Sequence, residues 1–343
     1  MKNEIMTSKE LVKKAIHFEG PQRIPHYLPD GRGNDLFWCA PWKVKEDKVI
    51  PDILEWTNKG DIDQRIDAWG TTWERTTGKI TNAGQAKKYP ITDMTRQAEY
   101  KFPDFNNLKY WTKRKEAIEK NNTMNNPKYV LGVLSFGSMN EGIHNIRGLQ
   151  NMFMDYYEFP DDLKALITRF AEKQRESIRM LADFGADGVM AYDDWGLQDS
   201  LMVSKDLIEE FFMPYYRKNW KLAHDLDMDV WMHSCGYIIE ILPMFAQAGL
   251  TVVQCDQQQN MGLENLSEKV GGKIAFWCPA DTQKVMVDGS PEDVRQYVKK
   301  MIKTLGSHNG GLVSMAYESP EAVSHNLENT KAMCEAFREF ERY

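Results

Sequence analysis

Short apolar runs alternate with longer amphipathic segments from about residue 128 to the end of the chain. An apolar run of four to eight residues predicts a buried strand, and apolar residues repeated every three or four positions predict a helix with one buried face. The predicted strands are residues 129–134, 188–192, 229–235, 250–255, 273–278 and 310–316. The predicted helices are residues 160–183, 204–227, 238–248, one that begins at Ser290-Pro291, and 326–341, and Pro214 is expected to kink or divide the second of them.

The N-terminal part of the chain has a less regular pattern. Thr7-Ser8-Lys9-Glu10 has the form of a capping box at the start of a helix, residues 23–27 predict a first strand, and residues 30–41 are loop-like. Residues 42–127 show few apolar periods, which predicts an elaborated lid or insertion rather than a separate domain. Inside that region, residues 60–73 supply one further predicted strand.

Eight predicted strands separated mostly by helices indicate an α/β fold with a parallel sheet. They lie near residues 24, 60–73, 130, 190, 231, 252, 275 and 313. This number favours a (β/α)8 TIM barrel formed by residues 1–343 as a single domain, with an elaborated N-terminal region. A doubly wound open sheet is the alternative fold, but no glycine-rich phosphate-binding loop follows an early strand.

Composition narrows the class of protein. The net charge of −7 argues against nucleic acid as a partner. The sequence contains no apolar segment long enough for a membrane span, and its first residues lack the apolar core of a signal peptide. Five cysteines in 343 residues fit reduced thiols better than a disulfide framework. We therefore expect a soluble cytoplasmic protein.

Potential metal ligands stand where three successive predicted strands end. His233 and Cys235 are two residues apart on one strand, so their side chains point the same way, and Cys255 and Cys278 end the next two strands. Active sites of such barrels lie at the carboxyl ends of the strands, and imidazole and thiolate are typical zinc ligands. We predict a zinc site of His233, Cys235 and a third sulfur, with Cys278 preferred and Cys255 as the alternative. The competing interpretation is that these cysteines are small core residues.

Two carboxylates end the strand that precedes His233. Asp193 and Asp194 are the predicted catalytic residues, which would orient a metal-bound group or act as a base. The other interpretation is that they cap the next backbone turn. Glu141, His144 and Arg147 have helical spacing after an earlier strand, and we expect them to form a solvated or capping face.

Seven segments of the chain are similar to those of one known family: residues 7–11 (TSKEL), 18–25 (FEGPQRIP), 67–70 (DAWG), 146–148 (IRG), 185–187 (GAD), 233–236 (HSCG) and 328–333 (ENTKAM). With these segments the chain resembles the uroporphyrinogen decarboxylase-like superfamily and, within it, the cobalamin (corrinoid)-dependent methyltransferase branch. The resemblance covers nearly the whole length. It implies a (β/α)8 barrel with the ligand site at the strand ends.

The resemblance also implies a set of metal ligands. The methyltransferases hold zinc with a His-x-Cys pair, which His233 and Cys235 match, and with a later cysteine after the last strand. Here that position reads Met315-Ala316-Tyr317-Glu318, so Cys278 or Glu318 would have to replace the missing thiolate. The decarboxylases have an arginine-rich segment after the first strand, whereas residues 26–33 contain only Arg32. Decarboxylation is therefore disfavoured.

The expected function is zinc-dependent methyl transfer. The methyl group would move between a small methylated compound, such as a methyl ether, or a thiol, and the cobalt of a corrinoid. A separate corrinoid protein is the expected partner because the chain lacks the Asp-x-His-x-x-Gly cobalamin pattern. Aromatic loops at residues 34–43 and 67–73 are candidates for the rim that meets this partner, and a homodimer is one assembly open to the chain. The alternatives are a uroporphyrinogen decarboxylase-like lyase, a metal-dependent hydrolase, or a barrel that binds a corrinoid without chemistry.

Overall fold

Twelve strands and thirteen α-helices make up the described part of the chain. A computed structural model describes residues 6–29, 31, 33–40, 56–78 and 84–342. The strands are β1 His26–Tyr27, β2 Leu36–Cys39, β3 Thr57–Asn58, β4 Ile62–Ile66, β5 Thr72–Thr76, β6 Gln85–Lys88, β7 Tyr129–Val133, β8 Gly188–Tyr192, β9 Asp229–His233, β10 Val252–Gln254, β11 Ala275–Cys278 and β12 Leu312–Met315. The helices are α1 Ser8–Ile16, α2 Thr112–Asn122, α3 Met139–Arg147, α4 Leu149–Glu158, α5 Pro160–Asp183, α6 Lys205–Phe211, α7 Met213–Asp225, α8 Leu242–Ala248, α9 Gln258–Met261, α10 Leu263–Val270, α11 Val285–Asp288, α12 Pro291–Leu305 and α13 Leu327–Glu339.

Eight of the strands pair in parallel and form the predicted barrel, which confirms the fold class. Their order around the sheet is β1-β12-β11-β10-β9-β8-β7-β2. The two end strands are joined through the segment that connects them, where the Asp35 N–H donates to the His26 carbonyl (2.7 Å) and the Leu28 N–H to the Gly33 carbonyl (2.9 Å). The barrel is therefore nearly closed, and the carboxyl ends of all eight strands surround one opening.

The second barrel strand differs from the one predicted. Residues 60–73 are not part of the barrel, because β3 to β6 form a separate four-stranded antiparallel sheet. The second barrel strand is β2, inside the segment that we expected to be a loop. The prediction was wrong because β2 follows β1 without an intervening helix, so the strand–helix alternation does not mark it, and the residues around it have the composition of a loop.

Alternate residues of the barrel strands divide the apolar side chains between two cores. Inward-facing residues of the strands, such as Trp231 and Trp277, form the barrel interior together with Val12 and Ile16 of α1. Outward-facing residues pack against the surrounding helices. The alternation follows from strand geometry, in which successive side chains point to opposite faces, and it fixes which residue at each strand end faces the opening.

Several predicted helix ends are confirmed by their capping contacts. Thr7 and Glu10 form the capping box of α1, and Ser290 and Asp293 form another at the start of α12. The predicted helix at residues 204–227 is divided into α6 and α7, with Pro214 in the first turn of α7. Among the helices in the described ranges, none has the length and apolar content needed to cross a membrane.

Trp69, within one of the two loops proposed as a rim, lies in a cluster of aromatic side chains. Its ring is 5.3 Å from that of Phe136 and stacks on Phe170 at 5.7 Å. Asp67 shapes this loop by accepting hydrogen bonds from the N–H groups of Trp69 and Thr71. The other proposed rim, residues 34–43, contains β2, and its residues 41–43 lie outside the described part of the chain, as does Arg32.

Candidate active site

Three predicted site residues meet at the carboxyl ends of β8 and β9. The two strands pair in register as far as Tyr192 and His233, so the residues that follow them are neighbours. His233 Nε2 lies 3.2 Å from the Cys235 Sγ and 3.4 Å from an Asp194 carboxylate oxygen. The same Asp194 oxygen accepts the Cys235 backbone N–H at 2.8 Å, which ties the two strand ends together. One nitrogen, one sulfur and one oxygen atom therefore lie within 4.8 Å of one another.

A chain of hydrogen bonds behind His233 fixes which ring nitrogen faces this cluster. The Gln254 amide nitrogen donates to Asp256 at 2.6 Å, so the Gln254 amide oxygen is the atom left to accept from His233 Nδ1. The Tyr317 hydroxyl donates to the other Asp256 oxygen. With its proton on Nδ1, the neutral His233 ring presents a lone pair on Nε2 towards Cys235 and Asp194. Metal-binding histidines are commonly oriented in this way by a second hydrogen-bonded group.

The donor set suits a metal ion such as zinc. Zinc in proteins is bound by imidazole nitrogen, thiolate sulfur and carboxylate oxygen. Catalytic zinc sites have three protein ligands and leave a further position open. Asp194, predicted as a catalytic residue, stands with His233 and Cys235 as a potential third ligand. Since these residues fit a metal, His233, Cys235 and Asp194 are the ones that would hold it.

The structure does not bring Cys278 to this cluster. Cys278 and Cys255 lie on the outer face of the barrel, fully buried, with their sulfur atoms 3.7 Å apart. On β11 the inward positions are Ala275 and Trp277, so Cys278 falls on the opposite face. The alternation of side chains that places His233 inward therefore places Cys278 outward. The contact with Cys278, followed by burial, raises the pKa of the Cys255 thiol.

Glu318, the other alternative ligand, lies across the barrel opening from the cluster. It follows β12, its side chain is exposed, and it accepts a hydrogen bond from the Tyr27 hydroxyl at 3.0 Å. Within the described residues it is not one of the atoms grouped with His233. Glu318 is therefore a charged residue of the opening rather than a member of the cluster.

Asp193 has a different position from its neighbour Asp194. Its carboxylate is fully buried and accepts the backbone N–H groups of Met139, Asn140 and Glu141 at 2.8–3.2 Å. These groups are the unsatisfied donors at the start of α3, and the Tyr216 hydroxyl donates to the same carboxylate. Asp193 thus holds α3 against the end of β8, which matches the capping interpretation of this residue.

Glu141 and His144 of α3 were expected on a solvated or capping face, and the structure shows both side chains partly buried. Burial, together with the nearby Asp194, raises the pKa of Glu141 to about 7. Burial lowers the pKa of His144 to about 4, and its Nδ1 atom is buried with no hydrogen-bond partner among the described residues. Arg147 is buried as well, in an ion pair with Asp155 at 2.7 Å. The only signal in the sequence was the three-residue spacing of Glu141 and His144, which puts both on one face of α3.

A cavity of about 390 Å³ opens beside His233 at the centre of the strand ends. Its volume falls in the range of small-molecule sites, roughly 300–1,000 Å³. The lining contains five aromatic residues, Tyr27, Trp38, Tyr192, Trp277 and Tyr317, together with Met190, His233, Gln254, Met315, Ala316, Glu318 and Ser319. One member of the cluster, His233, therefore lines a mostly aromatic cavity.

Comparison with known proteins gives one family and two relatives. The family model described as uroporphyrinogen decarboxylase (URO-D) matches residues 133–340. The chloroplastic uroporphyrinogen decarboxylase of Nicotiana tabacum is 28% identical over 151 residues, which cover 43% of this chain and 36% of that protein. The methylcobamide:CoM methyltransferase MtbA of Methanosarcina acetivorans is 24% identical over 140 residues, 40% of each chain. The matches thus span less than half the length of either relative.

The fold has a solved counterpart over its whole length. A methyltransferase from Methanosarcina mazei superposes with a TM-score of 0.69 and covers 98% of this chain and 99% of its own, at 15% sequence identity. At that identity the likeness is one of fold.

Proposed function

The chain belongs to the uroporphyrinogen decarboxylase family, and on that premise we propose that it is a zinc-dependent methyltransferase. The methyl group moves between a small methylated compound or thiol and the cobalt of a corrinoid that is held by a separate protein. The observation that carries this proposal is the cluster of His233, Cys235 and Asp194, of which His233 lines the cavity. The relative named as a methylcobamide:CoM methyltransferase and the solved methyltransferase support it.

The proposed roles follow from the contacts of each side chain. His233, Cys235 and Asp194 hold the metal ion, which, when bound, acts as a Lewis acid towards the substrate heteroatom and stabilises its anionic form. Gln254 keeps the proton of His233 on Nδ1. Asp193 is a positioning residue because its contacts are all to α3 and to Tyr216.

Decarboxylation of a porphyrinogen is the alternative within the family. A substrate with many carboxylates needs several cations at the site, and the described lining of the cavity contains no Lys or Arg. The described lining therefore does not supply the cations that a porphyrinogen needs, which favours methyl transfer over decarboxylation.

The proposal also covers the partner, the assembly, the N-terminal region and the compartment. A corrinoid protein is the partner, and a homodimer is one assembly open to the chain. Residues 42–127 act as a lid. The described part of this region includes the antiparallel sheet of β3 to β6 and the helix α2. The five cysteines are thiols in the structure, and we propose a reducing compartment such as the cytoplasm on that basis.

The test is metal analysis followed by a methyl-transfer assay. Protein purified without a metal-affinity tag is analysed for zinc, and methyl transfer from a panel of methylated compounds to free cob(I)alamin is followed by absorbance. We expect about one zinc per chain and transfer that a chelator abolishes. Hydrolysis of the substrate without corrinoid would instead favour a hydrolase, release of CO₂ from uroporphyrinogen would favour the lyase, and binding without turnover would leave a non-enzymatic barrel.

A further inference from the structure

We propose that Asp256 is a positioning residue of the candidate metal site, and that it acts through Gln254 to fix which nitrogen of His233 is free to bind the metal. The inference rests on the proposed site of His233, Cys235 and Asp194, and it adds a residue that contacts none of these three ligands. It is carried by the hydrogen bonds that lead away from the second nitrogen of the His233 ring.

Gln254 and Asp256 lie at the carboxyl end of β10, next to the strand that carries His233. The parallel pairing of β9 with β10 puts Gln254 beside His233, and the amide oxygen of Gln254 contacts the Nδ1 atom of the imidazole. Asp256 is two residues further along the chain, the spacing at which side chains of a strand point the same way. Its carboxylate lies 2.6 Å from the amide nitrogen of Gln254.

Gln254 alone does not decide where the proton of His233 lies. A glutamine amide has an acceptor oxygen and a donor nitrogen, and rotation by half a turn exchanges the two. With the oxygen towards the ring, the proton is on Nδ1 and the lone pair is on Nε2, where Cys235 and Asp194 lie. With the nitrogen towards the ring, a neutral imidazole accepts at Nδ1 and carries its proton on Nε2, which then cannot bind a metal. The site therefore depends on the orientation of the amide.

Asp256 supplies this orientation. A carboxylate has acceptor oxygens and no donor, so only the amide nitrogen of Gln254 can bond to it, and the amide oxygen is left for His233. The Tyr317 hydroxyl donates to the second oxygen of Asp256. Asp256 is buried, and within the described residues no Lys or Arg contacts it. A buried charge without a basic partner lowers stability, and such costs are typical of functional sites.

The same chain of hydrogen bonds strengthens His233 as a ligand. Hydrogen bonds in a chain polarise one another, so the charge of Asp256 increases the pull of the Gln254 oxygen on the Nδ1 proton. The Nε2 lone pair becomes a better donor as a result, as it does in a histidine that is bonded to a carboxylate directly. Because the amide does not take up the proton, it remains on the ring, and the chain orients His233 without moving a proton.

The experiment measures zinc affinity of the whole protein by chelator competition. Asp256→Asn keeps the size of the side chain but gives it a donor, so the Gln254 amide can turn. We expect about tenfold weaker zinc binding, at the lower end of the effect of such outer contacts. Asp281→Asn is the matched control, because Asp281 is a buried carboxylate after the next strand that accepts the backbone N–H groups of Gln259 and Lys284. The control should bind zinc as the parent does. Equal affinity of Asp256→Asn and the parent would overturn the inference.

A double variant separates this role from a structural one. In Gln254→Glu/Asp256→Asn the two side chains exchange their charge, so a carboxylate lies beside His233 and accepts its Nδ1 proton whichever way the amide behind it turns. We expect the zinc affinity to return at least to within about threefold of the parent, although two side chains are changed. Tyr317→Phe leaves the carboxylate in place and should also stay within about threefold. A double variant that binds zinc more weakly than Asp256→Asn contradicts the orienting role.

The ring nitrogens of His233 are observed directly by NMR of zinc-loaded protein with 15N-labelled histidine, with His233→Ala for assignment. We expect a protonated Nδ1 and a metal-bound Nε2 in the parent. A metal-bound Nδ1 overturns the inference even if no variant folds, and melting curves verify the fold of each variant.

Failure of the inference differs from failure of the proposed function. Zinc binding that depends on Asp256, without methyl transfer to cob(I)alamin, keeps the inference and contradicts the methyltransferase function. Methyl transfer with a zinc affinity that Asp256→Asn leaves unchanged overturns the inference and leaves the function standing. A parent protein that binds no zinc contradicts both.

Discussion

The two ends of the barrel use carboxylates in opposite ways. At the amino ends of the strands, three buried aspartates each contact a basic side chain from another element: Asp35 with Arg23 at 2.8 Å, Asp187 with Lys9 at 3.1 Å and Asp229 with His17 at 2.8 Å. At the carboxyl ends, Asp194, Asp256 and Glu141 contact no Lys or Arg within the described residues. Their partners are His233, Gln254, Tyr317 and backbone N–H groups.

The difference separates stability from function. A basic partner compensates the charge of a buried carboxylate. The pairs of Asp187 with Lys9 and of Asp229 with His17 also link α1 to the barrel strands. A carboxylate without a basic partner leaves the site negative, and a bound metal ion can compensate this charge. In barrels of this kind the amino-terminal face contributes stability and the carboxyl-terminal face carries the chemistry. Substitutions at the two ends should therefore affect different properties.

The largest effect is expected from His233→Ala. Removal of the imidazole takes away one of three proposed ligands, so we expect metal content to fall to background and methyl transfer to drop at least about 1,000-fold. Unfolding of the metal-free protein should change little. His224→Ala, which removes an exposed histidine bonded to the Gly249 carbonyl, is the control and should keep its metal. Full metal content in His233→Ala would contradict the proposed site.

Asp35→Asn tests the other end of the barrel. It leaves Arg23 without its carboxylate partner and weakens the contacts to Ser8 and His26, so we expect the free energy of unfolding to fall by about 2–3 kcal/mol. Metal content and methyl transfer should be unchanged at low temperature. Chemical denaturation measures the stability. Glu99→Gln, in an exposed pair with Arg96, is the control and should have no measurable effect.

Glu141→Gln should change how stability depends on pH. The folded pKa of about 7 lies above the ordinary glutamate value of 4.5, so the stability that the protonated form contributes is present below pH 4.5 and is lost as pH rises through 7. In chelator-treated protein at pH 8, the variant should be more stable than the parent by up to about 3 kcal/mol. The difference should vanish below pH 4.5. Glu158→Gln, at an exposed position of α4, should not alter the pH dependence.

Gln254→Leu should weaken metal binding without removing a ligand. The substitution leaves the Nδ1 proton of His233 without its acceptor, and loss of such a contact typically costs 10–100-fold in metal affinity. Chelator competition measures the affinity. Gln259→Leu, at an exposed residue of α9, is the control. An unchanged affinity in Gln254→Leu would mean that the hydrogen-bonded chain does not orient His233.

The smallest effect is expected from Cys278→Ser. Because Cys278 faces the outer core beside Cys255, we expect the zinc content to stay at that of the parent, with a loss of about 1 kcal/mol in stability from the buried hydroxyl. Cys235→Ser should lose its zinc under the same conditions. Loss of zinc in both variants would restore Cys278 as the third ligand and would require a shift of β11.

The sequence predicted most of the fold because the barrel strands after residue 128 are apolar runs with helices between them. It could not predict β2, since this strand follows β1 without a helix and lies among loop-like residues. It predicted that His233 and Cys235 point together, a property of one strand. Which face Cys278 occupies depends on the phase of β11 relative to the barrel, and four consecutive buried residues give no phase.

The residues of α3 show a second kind of limit. Glu141 and His144 have a polar, helical pattern that is typical of an exposed face, yet both are partly buried in the fold, where the start of α3 contacts Asp193 after β8. Sequence periodicity reports which residues share a face but not what covers that face. The aromatic walls of the cavity likewise come from five separate segments of the chain, so their convergence is a property of the closed barrel.

The carboxylate of Asp193 has a consequence for how this barrel can be altered. It joins the loop after β8 to the first turn of α3, while the next residue along the chain belongs to the candidate metal cluster. Two neighbouring positions therefore couple two βα units that would otherwise be interchangeable modules. An engineer who replaces the segment from β7 to α3 would have to keep its first-turn N–H groups matched to position 193. Otherwise the graft would shift the loop after β8 and so displace Asp194, although residue 194 itself is unchanged.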